Sequence, residues 1–375
     1  MDIKRTTRTL LAPILVMVLS MCGCQAGRED TETFTIRRGL NISHWLSQSS
    51  VRGYARMRYF TEKDVEYIAS EGFDHLRIPV DEEQLFDKDG QRNAEAFSLL
   101  RSALTWCRKY NLRAVVDLHI LRSHFFNADK RPLFTDEAAQ ERFYNCWRQI
   151  SDELHTFSNG WVAYELMNEP VADNPEDWNR IVKNCTAVIR EREPERTLVI
   201  GSNLWQSFRC MKDLSIPEND PNIILSFHYY DPFLLTHYRA SWVDHRDYTG
   251  KVHYPGCVVA PEDLSAIPAD TARKYADWTR RVYDKDAFTR DFNEALMVAD
   301  AHGLKLYCGE YGCINSSPVM DRLRWWRDIN EVFDEMGIAR AVWDYKGEFG
   351  ILKQERPDRL MIDALMGRNT AITNF

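Results

Sequence analysis

The sequence predicts a single closed (β/α)8 barrel, an α/β fold of the TIM-barrel class. Three observations lead there. Short β-rich runs alternate with longer segments of helical apolar spacing. The β-rich runs number eight, the number that closes a parallel barrel. The chain of 375 residues, with 44% hydrophobic and 28% charged side chains, suits one barrel with additions.

Taken in order, residues 1–23 read as an export signal and not as fold. Lys4, Arg5 and Arg8 precede an apolar run over 10–21 that is too short to span a bilayer. Cys22-Gly23-Cys24 follows, and the whole resembles a bacterial lipoprotein signal with cleavage before a lipid-bearing Cys24. Residues 24–33 are polar and read as a tether. A single catalytic domain over 34–375 is expected after it. Strands are predicted at 38–42, 75–80, 114–119, 162–167, 197–202, 223–229, 305–309 and 341–343. Helices are predicted at 63–70, 94–110, 136–156, 175–191, 287–302 and 319–336. Gly72, Asn111 and Gly303 sit where helices must stop, as the left-handed closing position prefers. One excursion, about 231–284, breaks the rhythm after the sixth strand. It carries several aromatics and four prolines, and loops this long in a compact domain usually serve function.

Composition narrows the chemistry. Lys and Arg total 48 against 56 Asp and Glu, a formal net charge of −8. That excess disfavours nucleic acid as a partner. Seven cysteines remain after Cys22 and Cys24, with no CxxC pair, which argues against a zinc knuckle. Export would permit disulfides, but an odd count leaves at least one thiol unpaired. The load of 11 Trp and 16 Tyr fits a core or flat surfaces for sugar stacking.

In this class the reactive groups gather at the C-terminal ends of the strands. Those ends carry Arg77, His119, Asn168 with Glu169, His228 with Tyr230, Glu310, and Trp343. Glu169 and Glu310, after strands four and seven, would face each other across the barrel mouth. A pair of carboxyl groups suits glycosidic cleavage, one protonated to assist the leaving oxygen and one ionised to attack. Singly, a glutamate at a strand end is more often a solvated acid, and a histidine is more often structural. Their joint placement at six strand ends favours a site. Asp117, His119 and His228 offer an alternative set of metal ligands, but they lack dense spacing and leave both glutamates without a role. A glycan-binding protein that has lost catalysis would usually lack one carboxylate, and both are here.

The segment Glu165-Leu166-Met167-Asn168-Glu169-Pro170 resembles the signature of glycoside hydrolase family 5, the cellulase family. The resemblance covers about residues 34–368, and Gly39-Leu40-Asn41-Ile42 is similar to the family's first strand. It implies Glu169 as general acid/base and Glu310 as nucleophile. Arg77, His119, Asn168, His228, Tyr230 and Trp343 match the family's remaining active-site positions. It further implies retention of configuration, with carboxyl groups about 5–5.5 Å apart, and neither metal nor organic cofactor. The implied substrate is a β-linked polysaccharide or oligosaccharide, with endo-β-1,4-glucanase-like action and, as the alternative, β-mannanase or another β-glycan specificity of the family. Trp45, Trp205, Phe233, Tyr238 and Trp242 are candidates for stacking on sugar. The expected form is a monomer, anchored only by lipid to a bacterial outer membrane, on its periplasmic face or at the cell surface.

Overall fold

The computed structural model describes residues 33–368. The expected signal and the lipidation site Cys24 lie outside the described residues. Eight strands form the barrel: β1 (Arg38–Asn41), β2 (His75–Val80), β3 (Arg113–Leu118), β4 (Val162–Glu165), β5 (Leu198–Gly201), β6 (Ile223–Tyr229), β7 (Lys305–Tyr311) and β8 (Ala339–Val342). All neighbours are parallel, and β8 pairs with β1 to close the ring. Helices α1 (Glu62–Ser70), α2 (Ala94–Lys109), α3 (Glu137–Leu154), α4 (Pro175–Arg190), α5 (Lys285–Ala301), α6 (Val319–Met336) and α7 (Arg359–Met366) alternate with the strands.

The helices form where the expected periodicity places them. In α4, Trp178, Ile181, Val182, Cys185 and Ile189 recur at helical spacing and are all buried. Asn174 caps its start by accepting from Glu176 N, and Pro175 occupies the first turn, where its missing N–H costs nothing. Two indoles pin helices to strand ends near the mouth. Trp147 Nε1 donates to Leu166 O and Trp178 Nε1 donates to Gly201 O, each at 2.9 Å. Gly337 and Gly367 close α6 and α7 in the left-handed conformation.

Strand alternation sorts the barrel interior into layers. Val115, Ala163, Val199, Ile224, Tyr307 and Ala341 pack together with Phe34, apart from the main core. Two residues further along several strands, the same inward face carries Arg77, Asp117, Glu165 and Ser226. Strand β7 departs from strict alternation. Cys308 pairs with Phe227 but Glu310 pairs with His228, so β7 holds one extra residue at Gly309. The register with β8 shifts by the same residue. As a result Tyr307 points inward, its hydroxyl 3.2 Å from His75 Nε2, while Tyr311 points outward and donates to Asn330 Oδ1 on α6. Strict alternation would put both on one face. The bulge turns Glu310 inward. Ending the strand at 309, as expected, stopped one residue short of this.

Two regions differ from expectation. A helix over Gly53–Tyr59 and the terminal α7 were not expected, since each is too short to show a clear period. Between β5 and β6 there is only a four-residue turn, Asn203–Gln206, and a 3-10 helix, Phe208–Asp213. The excursion after β6 is a packed elaboration with short helices at Pro261–Ser265 and Ala269–Tyr275. A two-stranded ribbon pairs Gly256–Cys257 with Val282–Tyr283. Its Tyr248, Tyr254, Val258, Val259 and Tyr275 join the main core. The seven described cysteines are all free thiols, and Cys107, Cys146, Cys185, Cys308 and Cys313 are buried.

The barrel floor gives a stability test. A Cβ on Gly39 would overlap the His75 imidazole, which is buried and held by Asp74 and Tyr307. Gly39→Ala should therefore lower unfolding stability by about 1–3 kcal/mol, read as a shifted denaturant midpoint with an unchanged slope.

Candidate active site

The mouth of the barrel is built around Arg77. Its side chain is fully buried, and every guanidinium nitrogen is engaged. Nε donates to Glu165 Oε2 at 2.6 Å, and Nη2 donates to Glu165 Oε1 at 3.1 Å. Nη1 donates to Glu310 Oε1 at 2.7 Å and to Asn41 Oδ1 at 3.0 Å. Nη2 also reaches Asn168 Oδ1 at 2.8 Å and Asp117 Oδ2 at 3.0 Å. One cation thus meets three carboxylates, the planar fork geometry for which arginine is suited.

Glu310 is oriented twice over, since its other oxygen accepts from the Tyr230 hydroxyl at 2.9 Å. Glu169 has a different setting. His228 Nδ1 lies 3.0 Å from Glu169 Oε1 and 3.6 Å from Glu310 Oε2. Carboxylate oxygens of the two glutamates approach within 4.8 Å of one another. Glu169 also has φ of +44°, in the left-handed region that a non-glycine residue occupies at a cost of roughly 1–3 kcal/mol. Strain of that size persists where neighbours over-determine the backbone, and here both peptide groups are held. Glu169 N donates to Gln206 Oε1, and Glu169 O accepts from His124 Nε2, each at 2.9 Å.

Electrostatics separate the two acids. Burial, then the charge of Glu310, holds Glu169 well above the usual carboxylate range. Burial also raises Glu310, but Arg77 and the Tyr230 hydroxyl pull it back. Asp117 is pushed up to about 7 by burial despite Arg77. Burial lowers His119 to about 4 and drives His228 well below its ordinary value, so both imidazoles are neutral. His119 Nδ1 lies 2.6 Å from Asp117 Oδ2, and its Nε2 lies 3.1 Å from Gln48 Nε2. Its ring stacks on Trp343 with centroids 5.6 Å apart. The Asn168 side-chain nitrogen is buried without a hydrogen-bond partner among the described residues, while its oxygen is fixed by Arg77. A donor is therefore free at the cavity wall.

The structure thus brings Arg77, His119, Asn168, Glu169, His228, Tyr230, Glu310 and Trp343 to one mouth, where a cavity of about 1370 Å³ opens. That exceeds a typical small-ligand pocket and has room for several sugar units. A second cavity of about 440 Å³ adjoins it, sharing Gln48, Ile120 and Phe125. The expected stacking residues separate. Trp242 is 51% exposed and lines the cavity. Trp205 is 46% exposed, with Nε1 donating to Phe126 O beside the cavity. Phe233 is partly exposed but packs on His237. Two expectations are corrected. Trp45 is 1% exposed, donates to Arg56 O and packs on Phe60, so it belongs to the core. Tyr238 is buried, with its hydroxyl donating to Gly250 O.

The ligand set Asp117, His119 and His228 does not converge, because Asp117 Oδ2 is taken by His119 and Arg77. Among the described residues, the acidic group with ligand-like spacing is Glu169, His228 and Glu310. Sequence reasoning passed over Glu165, Asn41, Gln48 and Gln206. Glu165 was visible as the first residue of the motif, on the inward parity of β4. Gln206 carries no sequence signal.

Comparison with known proteins agrees with this architecture. The pattern of cellulase (glycosyl hydrolase family 5) matches residues 38–348. Endoglucanase C of Acetivibrio thermocellus is 32% identical over 331 residues, covering 86% of this chain and 95% of that protein. Cellodextrinase A of Ruminococcus flavefaciens is 31% identical over 313 residues, covering 81% of this chain and 84% of that protein. The crystal structure of Thermotoga maritima Cel5A in complex with mannotriose shares the fold with a TM-score of 0.71. It is 22% identical, over 88% of this chain and 97% of that one. A match that runs from the first strand past the last, with relatives aligned over most of their own length, means that the chain belongs to glycosyl hydrolase family 5 and is a glycosidase.

Proposed function

We propose that the protein is a retaining endo-β-1,4-glucanase, with Glu310 as nucleophile and Glu169 as acid/base. The observation that carries this reading is the pair itself. The two carboxylates lie within 4.8 Å at their near oxygens, closer than the gap an inverting enzyme needs for a water. Glu310, held by Arg77 and Tyr230, attacks the anomeric carbon as Glu169 gives its proton to the departing glycosidic oxygen. The product is a glycosyl ester on Glu310. Esterification removes the charge of Glu310, which is one cause of the raised Glu169 pKa. Glu169 then accepts a proton from water, and that water releases the sugar with its original configuration. The free Asn168 amide faces the position of a sugar hydroxyl, and Trp343 offers a ring to the same sugar. Glucan as substrate rests on the names of the relatives, an endoglucanase and a cellodextrinase.

We further propose that the protein is exported, lipidated at Cys24 and attached to a membrane only by that lipid, as a monomer whose catalytic domain begins near residue 34. The basic start, the apolar run and Cys24 support this.

Presented with purified β-glucans and β-mannans, the enzyme should release reducing ends from β-1,4-glucan. Proton NMR should detect the β anomer first. Glu310→Ala should abolish release while retaining glycan binding, and Glu169→Gln should lower kcat about 10²–10⁴-fold on glucan. Release from mannan alone, or an α anomer appearing first, contradicts the proposal.

The pH dependence of kcat/KM should be bell-shaped. Activity falls on the acid side as Glu310 gains a proton, and on the alkaline side as Glu169 loses one. Replacing Glu310 by Gln removes a charge that raises Glu169, so a carboxyl titration followed by carbon NMR should show Glu169 moving down. An unmoved Glu169 would show that the two groups do not share a field.

Expressed from its own signal in a bacterium, the protein should sediment with membranes and leave them on detergent extraction. Cys24→Ser should shift it to the soluble fraction with unchanged activity.

A further inference from the structure

We infer that Gln206 is a positioning residue for the proton-donating carboxyl of Glu169. The inference rests on the acid/base reading above and assigns a role to a side chain outside the cavity lining.

Gln206 is completely buried. Its Oε1 accepts from Glu169 N at 2.9 Å, and its Nε2 donates to Glu165 Oε1 and Ser226 Oγ, both at 3.1 Å. The amide orientation is dictated by its partners. A backbone N–H can only donate, so the amide oxygen must face Glu169 and the nitrogen must face Glu165. Glu165 in turn binds Arg77, and Arg77 binds Glu310. One chain of hydrogen bonds thus runs from the backbone of the acid to the carboxylate of the nucleophile.

The backbone around Gln206 is shaped for this contact. Leu204, Trp205 and Gln206 all take left-handed conformations, with φ of 52°, 61° and 52°. Three consecutive non-glycine residues there are costly, and burial of the first two does not explain them, because Leu204 and Trp205 are exposed. What the turn accomplishes is to send the third side chain back beneath the β4 loop. The two loops are zipped together on either side of it. Trp205 N donates to Pro170 O, and Asn203 exchanges a pair of hydrogen bonds with the Ala172 peptide. Gly201 leaves the room required, since a Cβ there would overlap the Gln206 side chain.

Glu169 itself sits in a left-handed conformation with its C=O held by His124 and its N–H held by Gln206. Without the second hold, the peptide preceding Glu169 is free to rotate, and the carboxyl swings away from the glycosidic oxygen. A displacement near 1 Å costs on the order of 100-fold in a positioned reaction.

The test separates proton donation from the rest of the reaction. Aryl cellobiosides with a dinitrophenyl group leave without protonation, whereas cellotetraose needs the acid. Gln206→Met keeps the volume and removes all three amide hydrogen bonds. Its kcat/KM on cellotetraose should fall about 10- to 100-fold, with glycosylation by the dinitrophenyl substrate within a few-fold of the parent. Equal loss on both substrates, or no loss on either, overturns the proposal. Gln206→Glu provides an arm that keeps size and shape if the Met variant does not fold. Its new carboxyl still accepts from Glu169 N in either protonation state and gives up the amide's donation to Glu165, Ser226 or both. The ratio of cellotetraose to dinitrophenyl kcat/KM should therefore stay within a few-fold of the parent, and a drop of about 10-fold or more in that ratio also overturns the role. Glu169→Gln, assayed on the same two substrates, tests the underlying reading separately. If that variant loses kcat/KM equally on both, the acid/base assignment itself fails, whatever Gln206 does.

Discussion

The contact on which the mouth depends is the Arg77 guanidinium against Glu165, Glu310 and Asp117. All four side chains lie where water cannot screen them. An isolated ion of this kind would be very costly to bury, and removing one partner from a buried ionic group typically costs about 3–5 kcal/mol. The group is tolerable because its parts face one another with all donors of the arginine used. The consequence is rigidity. Asn168 is held by its oxygen, Glu310 by one oxygen and Glu165 by two, so three strands present their polar ends in one fixed array.

The same contact is short of positive charge. Arg77 supplies one cation to Glu165, Glu310 and Asp117, and Glu169 stands close by. The two nearby imidazoles cannot help, because burial keeps them neutral. Burial around a single cation pushes Asp117, Glu165, Glu169 and Glu310 all upward, burial being the leading cause for each. Glu169 has the least compensation, since it touches neither Arg77 nor Tyr230 directly. It is accordingly held well above the usual carboxylate range. On the proposed mechanism, difference in contact with one arginine divides the acid from the nucleophile.

How much of this was legible in the sequence follows from which physical signals are local. Short β-rich runs and helical spacing marked all eight strands and six of the seven numbered helices. The mouth residues could be read because each stands at the end of a run. The bulge at Gly309 was not legible, although it decides that Glu310 faces inward; it is visible only in the registers of β7 with both neighbours. The role of Gln206 was hidden for a similar reason. Its turn has no period, and its partners lie 37 and 41 positions away in the chain. Trp45 and Tyr238 were misplaced because an aromatic ring fits equally well in a core and on a sugar. What separates the two is burial, and both rings are buried.

The excursion after β6 then acquires a mechanical reading. It is anchored where it begins and not merely laid over the mouth. Trp325 Nε1 on α6 donates to Asp231 O, and Ile314 N donates to Thr236 O. Ser316 and Ser317 hydroxyls donate to Tyr238 O and Leu235 O. These bonds tie the segment following Glu310 to the segment following Tyr230, the two residues that share a hydrogen bond at the site. Thr236 Oγ1 closes the loop by bonding Tyr230 O. Backbone groups held this way leave few soft torsions, so Trp242 is carried on a buttressed wall. A ring on such a wall meets sugar with little ordering cost, whereas the same ring on a free loop would lose part of its stacking energy to immobilisation.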